Sequence, residues 1–241
     1  MESKISTDQI KLAIIGGSGA IGKEIIRCSK QDPKVKEIAI IGRRALEEWK
    51  QEDYLPELKM LQVENLDDLS HLKDQLLGYD VFISCLGARV KNGHQEFIRV
   101  ERDIPLSFAA LGKECGVNYV SYLSGNLVDS KSWFKECKVK AETEIGIFNM
   151  NFPVSTMFRP GMLVNRDNDF RWVEYIFAKL PGPKIEASML GYAMYQHAVE
   201  KALDLKQGKQ ASQEKISLTN KEIIEYANNL KNLKTSEIHH Q

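Results

Sequence analysis

Between Ile15 and Lys23 the chain reads Gly16–Gly17–Ser18–Gly19–Ala20–Ile21–Gly22, with glycines in Gly-x-x-Gly-x-x-Gly spacing at 16, 19 and 22. The apolar run Lys11–Ile15 precedes this stretch, and a helical stripe of Ile21, Ile25, Ile26 and Cys28 follows it. In such a strand–turn–helix unit one glycine makes the tight turn. A second lets the backbone approach a bound pyrophosphate, and a third lets helix and strand pack closely. The first N–H groups of the helix and its positive end then face the phosphates. The plain alternative is a turn whose glycines serve sterics alone. S-adenosylmethionine is a second ligand class with a glycine-rich first turn, but its sites carry an acid in or before the glycines. Here Ala13–Ile14–Ile15 precedes them.

The rest of the chain repeats the strand–helix alternation. Short apolar runs at Glu37–Ile41, Lys59–Val63, Asp80–Ser84, Asn118–Leu123 and Val154–Arg159 read as strands. Helical spacing falls between them: a polar helix through Leu69, Leu72 and Leu76, then Phe97–Cys115 and Ser132–Asn149. Beyond Pro160 the pattern loosens, with helices expected at Trp172–Leu180, Ala187–Lys206 and Lys221–Leu230. Alternating strands and helices predict an α/β, doubly wound Rossmann fold, with a mostly parallel sheet covered by helices on both faces. At 241 residues one domain over 1–231 is expected, with 232–241 a polar, disordered tail.

Composition excludes several classes. The 33 basic and 33 acidic side chains cancel, so nothing draws the whole chain to nucleic acid or an anionic membrane. The Lys131, Lys135, Lys138 and Lys140 cluster reads as a solvated helix face without interleaved aromatics, so no nucleic-acid partner is expected. No apolar run is long enough for a membrane span. Cys28, Cys85, Cys115 and Cys137 lack Cys-x-x-Cys spacing, and His71, His94 and His197 form no metal-ligand pair, so no metal is expected. His94, after the fourth strand, reads as a loop histidine or a substrate contact. The N-terminus MESKISTDQIKL has no apolar leader core, and a cytoplasmic location, with the nucleus open, is expected.

The second strand ends Ile40–Ile41–Gly42–Arg43–Arg44. In NAD sites an acid near this position accepts hydrogen bonds from the ribose 2′-OH. Arg43 and Arg44 offer guanidinium forks suited to a 2′-phosphate instead, which favours NADPH over NADH. The alternative is two solvated surface arginines.

Seven segments occur in a telling order: Gly16–Gly22, Ile41–Arg44, Cys85–Leu86–Gly87, Phe97–Asp103 (FIRVERD), Leu123–Ser124, Lys140–Ala141–Glu142 and Phe158–Arg159–Pro160–Gly161 (FRPG). From about Lys11 to about Ala227 the chain resembles the Tat-interacting-protein-like branch of the atypical short-chain dehydrogenases/reductases. The resemblance implies an NADPH-binding oxidoreductase fold. It implies Gly16, Ser18, Gly19, Ala20, Ile21 and Gly22 at the pyrophosphate and Arg43 and Arg44 at the 2′-phosphate. Leu86 and Gly87 would pass the adenosine half, and Leu163 would lie near the nicotinamide, with Arg171 a further contact. In FRPG, Pro160 ends a strand at the ligand edge of the sheet, where an ordinary turn is the alternative. Arg99 and Arg102 of FIRVERD either face solvent or anchor a helix start.

In this superfamily a Tyr and a Lys four residues later share one helix face. The Lys binds the nicotinamide ribose and lowers the phenol's pKa, and the Tyr acts as general acid/base. Lys140 fits the lysine, but Glu136 stands in the tyrosine position. Ser124 approaches the serine position that steadies the substrate oxygen, and Gly125 follows where relatives have a second Ser. Tyr175 and Lys179 have the right spacing in the wrong place. Three accounts of the gap are open. Glu136 pairs with Lys140, or it replaces the phenol, a role that a lysine neighbour opposes. In the third, Tyr122 or Cys137 serves from another angle. Two functions follow: an NADPH-dependent oxidoreductase on a small carbonyl or alcohol, with catalytic candidates Lys140, Ser124 and Glu136, or a non-catalytic NADPH-binding regulator or scaffold engaging a protein partner.

Overall fold

The computed structural model of the chain describes residues 9–44, 48–88, 93–164, 182–209 and 212–238. Seven strands form one sheet: β1 (Ile10–Ile15), β2 (Val35–Gly42), β3 (Glu57–Gln62), β4 (Val81–Ser84), β5 (Tyr119–Leu123), β6 (Val154–Arg159) and β9 (Glu214–Thr219). Their order is β3-β2-β1-β4-β5-β6-β9, and every neighbouring pair is parallel. The order reverses between β1 and β4, which opens a crevice at the strand C-termini, where open α/β sheets bind ligands. A pair of three-residue strands, β7 (Met162–Val164) and β8 (Lys184–Glu186), forms a second small parallel sheet beside it.

Alternation along each buried strand divides the core in two. Leu12 and Ile14 of β1 face one apolar cluster, with α1 (Ala20–Cys28), α6 (Ala187–Lys206) and α7 (Asn220–Ile238) contributing to it. Ala13 and Ile15 face the other, with α2 (Lys73–Leu76), α4 (Ile104–Glu114) and α5 (Lys135–Asn149). Burial on both faces explains why the inner strands read as short apolar runs.

Four differences from the sequence reading have local causes. The helix expected over 97–115 is present but starts earlier and carries a π-turn: it runs through α3 (His94–Ile98), the π-turn over Arg99–Asp103, and α4. Helix α5 starts at Lys135 rather than Ser132, because the Ser132 hydroxyl accepts the Phe134 N–H (3.1 Å) in a local turn that holds Phe134 extended. Strand β9 was not expected, and it pairs with β6 from Val154↔Glu214 to Arg159↔Thr219. The last helix runs on to Ile238, so most of the segment expected to be a disordered tail is helical. The helix expected at Trp172–Leu180 and residues Arg171, Tyr175 and Lys179 lie outside the described residues.

Candidate functional site

The glycine turn closes on itself at the end of β1, where the Gly19 N–H donates to the Gly16 carbonyl (3.0 Å). Gly16 has φ +82°, and a Cβ there would lie 2.6 Å from the Cys85 carbonyl carbon. A Cβ on Gly22 would lie 2.3 Å from the Gly16 oxygen. Both contacts are with backbone, so side chains are excluded at the turn and at the first helical turn stacked on it. No side chain caps α1. Its first N–H groups are therefore open to an anion.

A cleft of about 1380 Å³ runs along the C-terminal edge of the sheet. Ser18, Gly19, Ala20 and Ile21 form one wall, Leu86 and Gly87 after β4 lie between, and Ser124, Lys140 and Leu163 line the far part. Gly22 is not a lining residue but supports the turn from behind, and Gly16 lines a separate hollow of about 110 Å³. Arg43 and Arg44 border that hollow, with Trp49, Met60 and Leu66 as its apolar sides. A cleft at an uncapped helix N-terminus, beside a hollow with apolar sides and two arginines, fits a dinucleotide, so the donor set and the shape agree with the expected cofactor class.

The sequence-predicted catalytic residues meet in the cleft, but their partners differ from expectation. The Lys140 ammonium donates to Glu101 Oε2 (2.6 Å) and lies 3.4 Å from the Ser124 carbonyl oxygen. No ion pair joins it to Glu136 among the described residues, so the proposed Glu136–Lys140 pairing is replaced by Glu101–Lys140. Glu136 lines the cleft from the first turn of α5. The Ser124 hydroxyl is buried at the cleft with no hydrogen-bond partner among the described residues. A Cβ on Gly125 would sit 3.3 Å from Lys140 Cδ, so a serine at that position would touch the Lys140 stem.

Tyr122 does not serve from another angle. It is fully buried, its hydroxyl donates to the Glu101 carbonyl (2.8 Å), and burial with the nearby carboxylate holds its phenol well above the usual range. Cys137 lines the cleft, whereas His94 is not among the described lining residues. Arg99 pairs with Glu96 and Asp67, and Arg102 with Asp103 and Glu142, so both arginines anchor their helix.

Glu101, between those two arginines, is the residue that sequence reasoning missed. It is 3% exposed and lines the cleft. A signal for it was present. Pro105 has no N–H to give the carbonyl four residues back, and its ring crowds that carbonyl. The helix answers with a π-turn, in which the Ile104 N–H donates to Arg99 O. The released Glu101 carbonyl accepts from Tyr122, and Thr143 Oγ1 lies 2.8 Å away.

FRPG fixes the far end of the cleft. Arg159 Nε donates to Glu144 Oε1 (3.0 Å) and Oε2 (3.2 Å), tying β6 to α5. The Gly161 N–H donates to the Asn220 side chain (2.7 Å), and a Cβ on Gly161 would collide with Pro183. The motif is thus more than an ordinary turn: it sets the start of β7 and so Leu163.

Comparison with known proteins agrees with the fold and with the dinucleotide cofactor class. A family model described as the NAD-binding domain of semialdehyde dehydrogenase matches residues 11–105. Over 192 residues the chain is 31% identical to Protein HTATIP2 of Rattus norvegicus, covering 79% of this chain and 78% of the relative. The chain belongs to the HTATIP2-like atypical short-chain dehydrogenases/reductases. These are NAD(P)-binding, oxidoreductase-like Rossmann proteins. A second relative, the mitochondrial protein FMP52 of Candida albicans, is 28% identical over 63% of this chain and 66% of its own length. Among solved structures, a UDP-N-acetylglucosamine 4-epimerase from Methanobrevibacter ruminantium M1 shares the fold, with a TM-score of 0.62 at 16% identity over 88% of this chain and 76% of that one. The Bordetella bronchiseptica enzyme WbmH in complex with NAD+ does so at TM-score 0.59 and 16% identity, over 80% and 72%. The cytoplasmic expectation is corrected by this family: its FMP52 members from Candida albicans, Emericella nidulans and Meyerozyma guilliermondii are named as mitochondrial, and an N-terminus without an apolar core is no guide to that destination.

Proposed function

We propose that this chain binds NADPH in the cleft as an oxidoreductase-like protein, with a small carbonyl or alcohol as the compound that would share the site. The observation that carries the reading is the pair Arg43 and Arg44 at the end of β2, bordering the hollow beside Gly16 and Ser18. Two guanidinium groups complement a 2′-phosphate, and Trp49, Met60 and Leu66 offer a slot for an adenine. Ser18, Gly19, Ala20 and Ile21 hold the pyrophosphate through backbone N–H groups, and Leu86 and Gly87 let the adenosine half pass. Leu163 covers the nicotinamide end, and Lys140 holds the ribose there. Bound NADPH would supply a hydride. The orphaned Ser124 hydroxyl is the group free to donate to a substrate oxygen.

A second reading keeps the cofactor without turnover, so that the protein acts as a regulator or scaffold. One observation favours it: no tyrosine is among the described residues that line the cleft. Both readings require NADPH selectivity, so that is the first test. In calorimetric titrations the wild-type protein is expected to bind NADPH more tightly than NADH. Arg43→Ala with Arg44→Ala weakens NADPH by about tenfold to a hundredfold, the loss of one or two charge-assisted contacts, and leaves NADH almost unchanged. Equal losses for both cofactors would sink the 2′-phosphate assignment.

A further inference from the structure

Glu101 is placed where a carboxylate is costly. It is almost fully buried, and a buried charge persists only when it is paired and hydrogen-bonded. Its partners come from three separate elements. Oε1 accepts the Ala88 N–H (2.9 Å), directly after the Leu86–Gly87 stretch that passes along the cleft. Oε2 accepts from Lys140 on α5 (2.6 Å), and the Tyr122 hydroxyl of β5 lies 3.3 Å from it. The carbonyl of the same residue is held by Tyr122 and Thr143. The carboxylate is therefore fixed before any ligand arrives.

The consequence falls on Lys140. A lysine on an open cleft wall would sample many rotamers and lose that freedom when it bound a ligand. Here the stem lies along Gly125, and the ammonium lies 5.7 Å from the centre of the Tyr122 ring. An ammonium has three N–H donors and no acceptor. Glu101 Oε2 takes one, and the Ser124 carbonyl is within reach of a second. The third is left for the cleft, which Lys140 lines.

Resting on the NADPH reading above, we propose that Glu101 is a positioning residue. It pins the Lys140 ammonium to the cleft floor and reserves one N–H for the nicotinamide ribose, a task left without help from a phenol where Glu136 stands. Because it also holds Ala88, it sets the spacing between the Leu86–Gly87 wall and Lys140. Glu101 touches no cofactor atom itself; it acts through Lys140.

The test uses two ligands on the full chain: NADPH, and 2′,5′-ADP, which has the adenosine half and no nicotinamide ribose. In Glu101→Gln one amide face must meet a donor with a donor, which loosens Lys140 or Ala88. NADPH binding is expected to weaken about tenfold, the value of one charge-assisted hydrogen bond, while 2′,5′-ADP binding holds nearly constant and the melting temperature falls by only a few degrees. In a Lys140→Met background, Glu101→Gln is expected to cause no further loss of NADPH affinity. Equal loss of both ligands by Glu101→Gln, unchanged NADPH affinity, or additive losses in the double variant would each overturn the positioning role and leave the cofactor reading standing. Wild-type protein that binds neither ligand would overturn both.

Discussion

At the scale of single residues the cleft and its hollow gather the side chains of the proposed cofactor site, and Glu136 stands where the superfamily has a tyrosine. Glu136 lies on the cleft wall four residues before Lys140, so a phenol built there would enter the same cleft. Glu136→Tyr is expected to raise NADPH oxidation against a broad carbonyl panel by roughly a hundredfold, the lower end of what a positioned acid/base contributes. Gly125 sets the second requirement, since a side chain at that position would contact the Lys140 stem. If the single variant gains nothing but Glu136→Tyr with Gly125→Ser does, the serine was also limiting. No gain from either would retire the reductase reading in favour of cofactor holding without turnover. The places of the glycine turn, the two arginines and Lys140 along the cleft and its hollow were legible because each is a residue type at a fixed spacing from a strand end. Glu101 was not, because its role depends on three elements that converge only in the folded chain. The proline that frees its carbonyl sits four residues later, inside a stretch with otherwise ordinary helical spacing.

At the scale of elements, FRPG works through an ion pair. Glu144 on α5 is 2% exposed and its carboxylate is held by the Arg159 guanidinium at the end of β6. Removing the cation strands a buried charge, which costs more than the pair itself contributes. Arg159→Met is expected to lower unfolding free energy in urea by about 3 kcal/mol, and adding Glu144→Leu to recover most of it. A loss below about 1 kcal/mol from the single variant would mean water reaches Glu144 when Arg159 is gone. Element types were readable for β1, β2 and β4 to β6, because strands buried on both faces leave short apolar runs such as Val81–Phe82–Ile83. Strand β9 lies at the sheet edge, where only Ile216 and Leu218 alternate with polar residues, and so short an alternation carries little signal. Strands β7 and β8 have three residues each and owe their pairing to the FRPG turn and to Asn220, whose Nδ2 donates to the Lys184 carbonyl (3.2 Å).

Over the whole molecule the face of the sheet under α6 and α7 is closed by a buried histidine. His197 on α6 accepts or donates at Nδ1 against the Tyr119 hydroxyl of β5 (3.0 Å) and meets Phe158 of FRPG and Tyr226 of α7 edge-on. Burial, with a smaller contribution from Lys201, pushes its pKa from the usual 6.5 down to about 4. The folded protein therefore holds this imidazole neutral in a range where the unfolded chain protonates it. Between these two values the unfolded state binds the extra proton, so stability rises with pH. The contribution is fully present above about pH 6.5, declines as the pH falls through the window, and is gone near pH 4, amounting to about 3 kcal/mol in all. Glu37 is shifted downward as well, and its contribution disappears only below the ordinary carboxylate value of 4.5, so the range from 6.5 to about 4.5 belongs mainly to the histidine. Unfolding free energies measured in urea across that range are expected to slope upward with pH in the wild type. In His197→Gln, which keeps a partner for Tyr119 but does not titrate, the slope should flatten. An unchanged slope in the variant would mean that His197 is protonated in the folded state, and that the FRPG strand and the last helix meet over a charge rather than a neutral ring.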